Sequence, residues 1–290
     1  MVIIFFNYLY NDYLFGVSTV NEIIFELKDV HYSYLGKFPA ICGIDIQIRQ
    51  GERIAVIGAN GSGKSTLLHL LDGLIFPDKG EMNAFGMALT EDFINNSSSA
   101  RQFRGRVGLV FQNADIQLFC PTVKEDIVFG PLQLGIKDDE VLKRLLTISK
   151  LLNIEHLLDR VPYQLSVGEK RKVAVATVFA IDPDVLLLDE PTAGLDPLTV
   201  RIIIDLIVQA NKQGKTVITS THDLHTAGEI ADTVYVFSKD KRIVRFGPTA
   251  EILSDQSFLQ ANNLVHIHGH IHDDGSSHAH AHLSLEKHSN

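Results

Sequence analysis

A glycine-rich stretch near the start of the chain constrains its fold more than any other feature does. Residues 58–66 read Gly-Ala-Asn-Gly-Ser-Gly-Lys-Ser-Thr and match the pattern GxxxxGK[ST]. A short apolar run at residues 53–57 precedes this stretch, and leucines recur at helical spacing after it. The order strand, loop and helix is the context that a phosphate-binding loop requires, because glycines let the backbone close around phosphate oxygens at the start of a helix.

The side chains of this loop predict a bound nucleoside triphosphate and a magnesium ion. Lys64 is placed to reach the β- and γ-phosphates, and the hydroxyl of Ser65 is placed to ligate Mg²⁺. We therefore expect a nucleoside triphosphate and Mg²⁺ as cofactors. The residues predicted to cradle the nucleotide are Gly58, Asn60, Gly61, Ser62, Gly63, Lys64, Ser65 and Thr66.

Two neighbouring acids follow a second buried strand. Residues 185–188 are apolar on both faces, as in a central parallel strand covered on each side, and they lead into Asp189 and Glu190. Ligands of open α/β sheets bind at the carboxyl ends of the strands, so these acids should lie beside the phosphate loop. We predict that Asp189 holds Mg²⁺, that Glu190 polarises the attacking water, and that His222, after the next strand, senses the γ-phosphate.

Strands and helices alternate through most of the chain, which predicts an α/β fold with a mixed sheet. The character changes to helix between residues 113 and 170, and we interpret this segment as a helical subdomain inserted into one ATP-binding domain at residues 22–262. The apolar stripe expected on its main helix consists of Val141, Leu142, Leu145, Leu146, Leu151 and Leu152.

Composition limits the partners. Lys and Arg number 26 against 35 Asp and Glu, which gives a formal net charge of −9. A protein that binds a phosphate backbone needs a basic surface, so we predict no nucleic acid partner.

Residues 1–21 are apolar with polar interruptions and are interpreted as an N-terminal extension; a peripheral segment or a weak membrane contact are the alternatives. Any membrane spans are expected from other chains.

Another anion site is indicated at the start of a later helix. Residues 165–171 read Leu-Ser-Val-Gly-Glu-Lys-Arg, and the hydroxyl of Ser166, the N–H of Gly168 and the helix dipole can face a phosphate. This stretch resembles the LSGGQ signature of the ABC ATPase family, and the resemblance to that family covers roughly residues 24–264. It implies a P-loop NTPase cassette with an inserted helical subdomain.

The resemblance also implies that cassettes work in pairs, with the signature of one subunit facing the ATP of the other. Residues 193–196 resemble the loop that runs along the dimer seam. Val167 stands where the family usually has its first glycine, and Glu169 stands where it usually has glutamine. The second glycine is present, so we expect the signature to function.

Two further residues are assigned through the resemblance. Gln112 resembles the glutamine that touches Mg²⁺ and the lytic water and that links the site to the helical insertion. Tyr34 resembles the aromatic residue that stacks on adenine. Tyr32 is the competing candidate, because both tyrosines lie on one face of the same predicted strand.

The helical insertion begins with a segment that resembles one branch of the family. Residues 111–119, with 121–123, Asp126 and 129–131, resemble the energy-coupling-factor branch, whose importers take up transition metals and vitamins. The resemblance implies that this region lines a groove for a helix of a membrane subunit. The alternative is a helical insertion that is simply packed.

Histidines mark the last segment, residues 263–290, which we predict to be a disordered tail. Imidazoles suit nickel, copper, cobalt and zinc, so this tract predicts loose metal binding, with a solvated low-complexity tail as the alternative. The candidate nickel or cobalt ligands are His266, His268, His270, His272, His278, His280 and His282.

These features together predict a peripheral ATPase at the cytoplasmic face of the cell membrane that powers import of nickel or cobalt. Its expected partners are a second ATP-binding subunit, identical or homologous, a transmembrane coupling subunit and a metal-specific membrane component. The alternatives are the same ATPase role in a vitamin importer and a soluble ABC ATPase outside transport. A metal-binding regulator with a degenerate cassette is disfavoured by the intact Glu190 and His222.

Overall fold

The computed structural model describes residues 22–265, 267–271 and 277–281. The first elements in chain order are β1 (Ile23–Tyr34), β2 (Phe38–Arg49), β3 (Arg53–Gly58), α1 (Lys64–Leu71), β4 (Lys79–Ala84), β5 (Met87–Ala88), α2 (Glu91–Asn95), α3 (Ser97–Arg106) and β6 (Val107–Val110). They are followed by α4 (Val123–Gln133), α5 (Asp138–Leu151), α6 (Val167–Ile181), β7 (Val185–Asp189), α7 (Pro197–Lys212), β8 (Thr216–Thr221), α8 (Leu224–Ile230), β9 (Thr233–Phe237), β10 (Ile243–Pro248), α9 (Thr249–Ser254) and α10 (Gln256–Ala261).

The body of the chain is a mixed sheet with a second, antiparallel sheet beside it. The mixed sheet has the order β10-β9-β3-β8-β7-β6. All its strands are parallel except the edge strand β10, which pairs antiparallel with β9. The antiparallel sheet has the order β2-β1-β4-β5. The predicted α/β fold with a mixed sheet is confirmed.

Strand β3 lies between two hydrophobic cores. Ala55 and Ile57 belong to the core shared with α6, α7 and the helical insertion, whereas Ile54 and Val56 belong to the core shared with α1 and the antiparallel sheet. Alternate side chains of a strand point to opposite faces, so a strand covered on both sides is apolar at every position. This double burial fixes the end of β3, where the glycine-rich loop begins.

The helical segment between β6 and β7 packs through a stripe that differs from the predicted one. The positions of this stripe that are buried are Val141, Leu145, Ile148 and Leu152. Leu142 and Leu146 are 52% and 54% exposed, so their assignment to the stripe was wrong. The buried set follows the spacing i, i+4, i+7, i+11 of one helix face, and Leu142 and Leu146 each lie one residue, about 100°, round the helix from it.

Helix starts in this segment are fixed locally. The hydroxyl of Thr122 accepts from the backbone N–H of Glu125, and the Glu125 carboxylate accepts from the N–H of Thr122. This reciprocal capping box satisfies two backbone donors that the first turn of α4 leaves unpaired. The short 3₁₀ turns Glu155–Leu157 and Pro162–Gln164 then carry the chain from α5 to α6.

Near the C-terminus the structure describes a ribbon of two antiparallel strands, β11 (Ile267–Ile271) and β12 (Ser277–Ala281). Of the candidate metal ligands, His266, His272 and His282 lie outside the described residues, and only the backbone is described for His268, His270, His278 and His280. Residues 1–21 also lie outside. Over the described part of the chain, no helix has the length and apolarity needed to cross a bilayer.

Candidate nucleotide site

The phosphate loop connects β3 to α1, as predicted. Gly61 and Gly63 have φ angles of +74° and +112°, a region that glycine adopts without steric cost. A Cβ atom at Gly63 would lie 2.4 Å from the carbonyl oxygen of Ala40, whereas a Cβ atom at Gly61 would meet nothing within 4 Å. The loop therefore depends on glycine at position 63 for space and not only for backbone freedom.

Lys64 is held inside the concave side of the loop. Its Nζ donates to the carbonyl oxygens of Gly58 at 2.8 Å and Ala59 at 3.4 Å. Burial lowers the pKa of this ammonium from its ordinary value, while the charges of Glu190 and Asp189 act in the opposite direction. The hydroxyl of Ser62, 1% exposed, makes no hydrogen bond to any described residue. A buried donor of this kind has its full hydrogen-bonding capacity available to an incoming phosphate oxygen.

The acid pair lies at the carboxyl end of β7, and Ser220 positions both acids. The hydroxyl of Ser220, on the adjacent β8, donates to Oδ1 of Asp189 and accepts from the backbone N–H of Glu190 at 3.1 Å. Asp189 and Glu190 are 2% and 5% exposed. Sequence reasoning missed Ser220, and the only available signal was its place at the end of a strand predicted to neighbour β7.

Glu190 is held in an unusual conformation. Its φ angle is +48°, which is rare for a residue other than glycine and is typical of functional sites. Its Oε2 lies 2.9 Å from Nδ1 of His222, which follows β8. The structure thus brings the predicted water-polarising acid and the predicted γ-phosphate sensor into direct contact.

A buried arginine also belongs to this region. Nη1 of Arg171, on α6, donates to the carbonyl oxygen of Phe111 at 2.9 Å. Burial lowers the pKa of its guanidinium, and the charges of Asp189 and Glu190 oppose that shift. Arg171 is the last residue of the stretch that resembles the signature, and nothing in the sequence distinguishes it from its less buried neighbours Lys170 and Lys172.

The predicted Gln112 lies just beyond β6 and is exposed. Val110 pairs with Leu188 in the parallel register, so Gln112 and Glu190 stand at the same edge of the sheet. The side chain that fixes this segment is Gln117, which was not predicted. It accepts from the N–H of Phe111 at 3.1 Å and donates to the carbonyl oxygen of Ala174 on α6 at 2.8 Å.

A cleft of about 250 Å³ adjoins the loop on the side of the antiparallel sheet. Its lining residues are Tyr34, Phe38, Pro39, Ala40, Gly61, Gly63, Lys64, Ser65, Thr66 and Lys241. The hydroxyl of Tyr34 is 3.2 Å from Oγ1 of Thr66. Tyr32 packs edge-on against the ring of Tyr34 at 5.0 Å and does not line the cleft. Of the two candidates for the adenine contact, only Tyr34 lines this cleft.

The signature residues lie elsewhere. Ser166 caps the start of α6, and neither Ser166 nor Gly168 lines the cleft beside the phosphate loop. The hydroxyl of Ser166 donates to Glu169 at 2.7 Å, and the backbone N–H of Ser166 donates to the same carboxylate oxygen at 2.8 Å. These hydrogen bonds lower the pKa of Glu169. The spacing Ser-x-x-Glu is a capping-box pattern and would have predicted this contact.

Known proteins are similar to this chain in sequence and in fold. Residues 41–193 match the ABC transporter family. The chain is 44% identical to the nickel import ATP-binding protein NikO of Rhodobacter capsulatus, over 83% of this chain and 95% of that protein. It is 41% identical to the energy-coupling factor transporter ATP-binding protein EcfA of Methanocaldococcus jannaschii, over 83% of this chain and 85% of that protein.

A solved structure with the same fold is a dimer of the ATP-binding cassette MJ0796 in a post-hydrolysis state with ADP and Pi. Its TM-score is 0.71 at 28% identity, over 78% of this chain and 99% of that one. The match to the family covers more than half of the chain, and it includes the phosphate loop and the acid pair. The chain therefore belongs to the ABC transporter family, as an ATP-binding subunit whose ATPase activity is coupled to transport.

Proposed function

We propose that the chain powers import of a transition metal ion, nickel or cobalt, as the peripheral ATPase of an energy-coupling-factor transporter at the cytoplasmic face of the membrane. The observation that carries the catalytic half of this proposal is the buried carboxylate of Glu190. Its charge acts to raise the pKa of Lys64 against the effect of burial, and its Oε2 lies 2.9 Å from Nδ1 of His222.

Each residue of the site has a role in the proposed hydrolysis. Lys64 and the N–H groups of the loop hold the β- and γ-phosphates. Glu190, positioned by Ser220, orients and polarises the attacking water. His222 hydrogen-bonds to the γ-phosphate and so couples its presence to the position of Glu190. Tyr34 stacks on the adenine, a contact that contributes about 1–3 kcal/mol per base.

The donor set at this edge fits a magnesium ion. Ser65, Gln112 and Asp189 offer a hydroxyl, an amide and a carboxylate oxygen, and Mg²⁺ prefers oxygen ligands. The hydrogen bond from the hydroxyl of Ser220 fixes the Asp189 carboxylate, so one ligand is already oriented. When bound there, Mg²⁺ would neutralise charge that develops on the transferred phosphate.

The site is proposed to be completed by a second ATP-binding subunit. Ser166 and Gly168 are outside the cleft of their own chain, and Ser166 is exposed at a helix start that attracts anions. Val167, within the signature stretch, and Leu198, close to the loop at residues 193–196, are each 73% exposed. Exposed apolar side chains next to functional loops suit a surface that a partner covers.

A groove beside β6 supports the proposed membrane partner. It has a volume of about 490 Å³, and Phe111, Phe119 and Phe129 are among its lining residues. Phe119 and Phe129 are 67% and 42% exposed, with their rings in edge contact at 5.0 Å. An exposed aromatic groove of this kind suits the apolar face of a helix from a transmembrane coupling subunit. A metal-specific membrane component would complete the transporter.

The choice of a metal ion as cargo has two supports. One is the 44% identity to a protein named for nickel import. The other is the histidine tract at residues 266–282, whose imidazoles suit nickel and cobalt. We propose that this tract holds ions loosely beside the transporter and takes no part in hydrolysis.

Uptake of radioactive nickel and cobalt by cells of the source organism tests this function. Deleting the gene should lower uptake of at least one of the two ions, and the wild-type gene should restore it. A gene encoding Glu190→Gln should fail to restore it. Normal uptake of both ions in the deletion strain would refute the choice of cargo, and a simultaneous defect in uptake of a vitamin would identify the vitamin importer instead.

A further inference from the structure

The turn between β9 and β10 carries a lysine in a conformation that suits glycine. Lys241 has a φ angle of +63°, in the left-handed region where a Cβ atom is disfavoured. Its neighbour Lys239 is exposed on the same turn and does not line the cleft. Glycine would be less strained at this position. The presence of a lysine there points to a role for its side chain.

The backbone of Lys241 joins the turn to the antiparallel sheet. Its N–H donates to the carbonyl oxygen of Ser238 at 3.2 Å, and its carbonyl oxygen accepts from the N–H of Cys42 on β2 at 2.9 Å. Strand β2 also carries Phe38 and Ala40, which line the cleft beside the phosphate loop. These hydrogen bonds fix the Cα atom of Lys241 at the border of the cleft.

The side chain of Lys241 reaches the phosphate loop. Its Nζ donates to the carbonyl oxygen of Gly61, 180 positions earlier in the sequence, and Lys241 lines the cleft together with Lys64 and Tyr34. The ammonium is only partly buried, so it retains donors beyond the one that contacts Gly61. The described cleft thus has two lysines, and Lys64 is the one directed into the loop.

We propose that Lys241 is a nucleotide-binding residue whose ammonium contacts the phosphate groups of the bound nucleotide. ATP brings several negative charges into this cleft, and a second ammonium beside that of Lys64 offsets the repulsion among them. Lysine binds phosphate as a mobile point charge, which suits a side chain that spans a cleft from its border. The residue adds to the ATP site and does not depend on which ion is transported.

Binding titrations on the purified full-length chain test the proposal. Lys241→Gly removes the ammonium and relieves the φ angle, so the melting temperature should not fall. The Kd for ATP should rise about tenfold, the expected loss for one hydrogen bond to a charged group at a partly exposed site. Inhibition of ATP binding by adenosine, which lacks phosphates, should keep its inhibition constant. Lys241→Arg should restore most of the affinity, and Lys239→Ala, which removes a charge from the same turn, should leave it unchanged.

Two outcomes would overturn the proposal. One is an ATP affinity of Lys241→Gly within twofold of the wild type. The other is an equal loss of affinity for ATP and adenosine, which would reduce Lys241 to a support for the shape of the cleft. If Lys241→Gly lowers the melting temperature, the same titrations are made with Lys241→Asn. Asparagine tolerates the left-handed region and also lacks the charge.

Discussion

The chain contains two helix starts suited to phosphate, and they are built in opposite ways. At the start of α1 the donors are enclosed: Gly63 is packed against Ala40, and Lys64 is 7% exposed. At the start of α6 the donors are open, and Ser166 is already bonded to the carboxylate of Glu169. The donors of the first site all come from one chain. The second site already holds an internal anion, the Glu169 carboxylate, and we propose that a phosphate of a second subunit's ATP binds at the same helix start.

The difference explains why one sequence motif can form a phosphate site within its own chain and another cannot. An enclosed site is formed by neighbours in the same fold, so its geometry exists before the ligand arrives. In the proposed pairing, the open site receives its ligand from a partner, and the hydrogen bonds between Ser166 and Glu169 must break to admit it. We therefore expect changes at the first site to abolish function in each chain, and changes at the second to affect only the paired state.

The largest expected effect comes from Glu190→Gln. Removing the carboxylate that polarises water should lower the ATPase rate by roughly 10²–10⁴-fold, the usual contribution of a general base. ATP should still bind, because Lys64 and the loop are unchanged, and chains should accumulate as ATP-bound pairs. A phosphate-release assay with sizing chromatography measures both. Glu155→Gln, on an exposed turn, is the matched control, and an unchanged rate for Glu190→Gln would show that another residue acts on the water.

A matched pair of glycine variants tests the enclosed site. Both Gly61→Ala and Gly63→Ala place a Cβ atom at positive φ, but only the second brings it within 2.4 Å of the Ala40 carbonyl oxygen. We expect ATP affinity to fall at least about 100-fold for Gly63→Ala, with roughly 1–3 kcal/mol of lost stability. The loss for Gly61→Ala should be several-fold smaller. Equal effects in calorimetry would show that backbone strain, and not space, sets the requirement.

The open site should respond differently. Ser166→Ala removes the cap of α6, which costs about 1 kcal/mol of stability, and it removes a hydroxyl proposed to face the ATP of the partner. ATP affinity of the separate chain should not change, while the ATPase rate should fall about tenfold. Ser166→Thr keeps the hydroxyl and should retain most of the rate. A weaker Kd for ATP in the separate chain would mean that the two helix starts are not independent.

The sequence predicted the enclosed site better than the contacts between residues that are distant in the chain. The order of strand, glycine-rich loop and helix at residues 53–71 was predicted because the three are contiguous in the sequence. The contacts of Ser220 with Asp189 and of Lys241 with Gly61 join residues 31 and 180 positions apart, so no local sequence pattern predicts them. Leu142 and Leu146 were misplaced because a run of adjacent leucines gives no sharp helical phase. Tyr34 was separated from Tyr32 only by the position of the cleft.

The smallest expected effect concerns the internal anion of the open site. Glu169→Gln keeps the side-chain length but removes the charge that competes with a phosphate at Ser166, so ATP-driven pairing of chains should strengthen by a few-fold.

The pKa of Glu169 lies below its ordinary value of 4.5 because it accepts hydrogen bonds from Ser166. Its contribution to stability is therefore complete above that ordinary value and is lost only as the pH falls through the lowered pKa. The effect on pairing should be the same at about pH 6 and about pH 8, since the carboxylate stays charged throughout that interval. Analytical ultracentrifugation with ATP measures the pairing in the Glu190→Gln background, where hydrolysis does not separate the chains. Weaker pairing would show that the carboxylate shapes the helix start for the partner and does not compete with its phosphate.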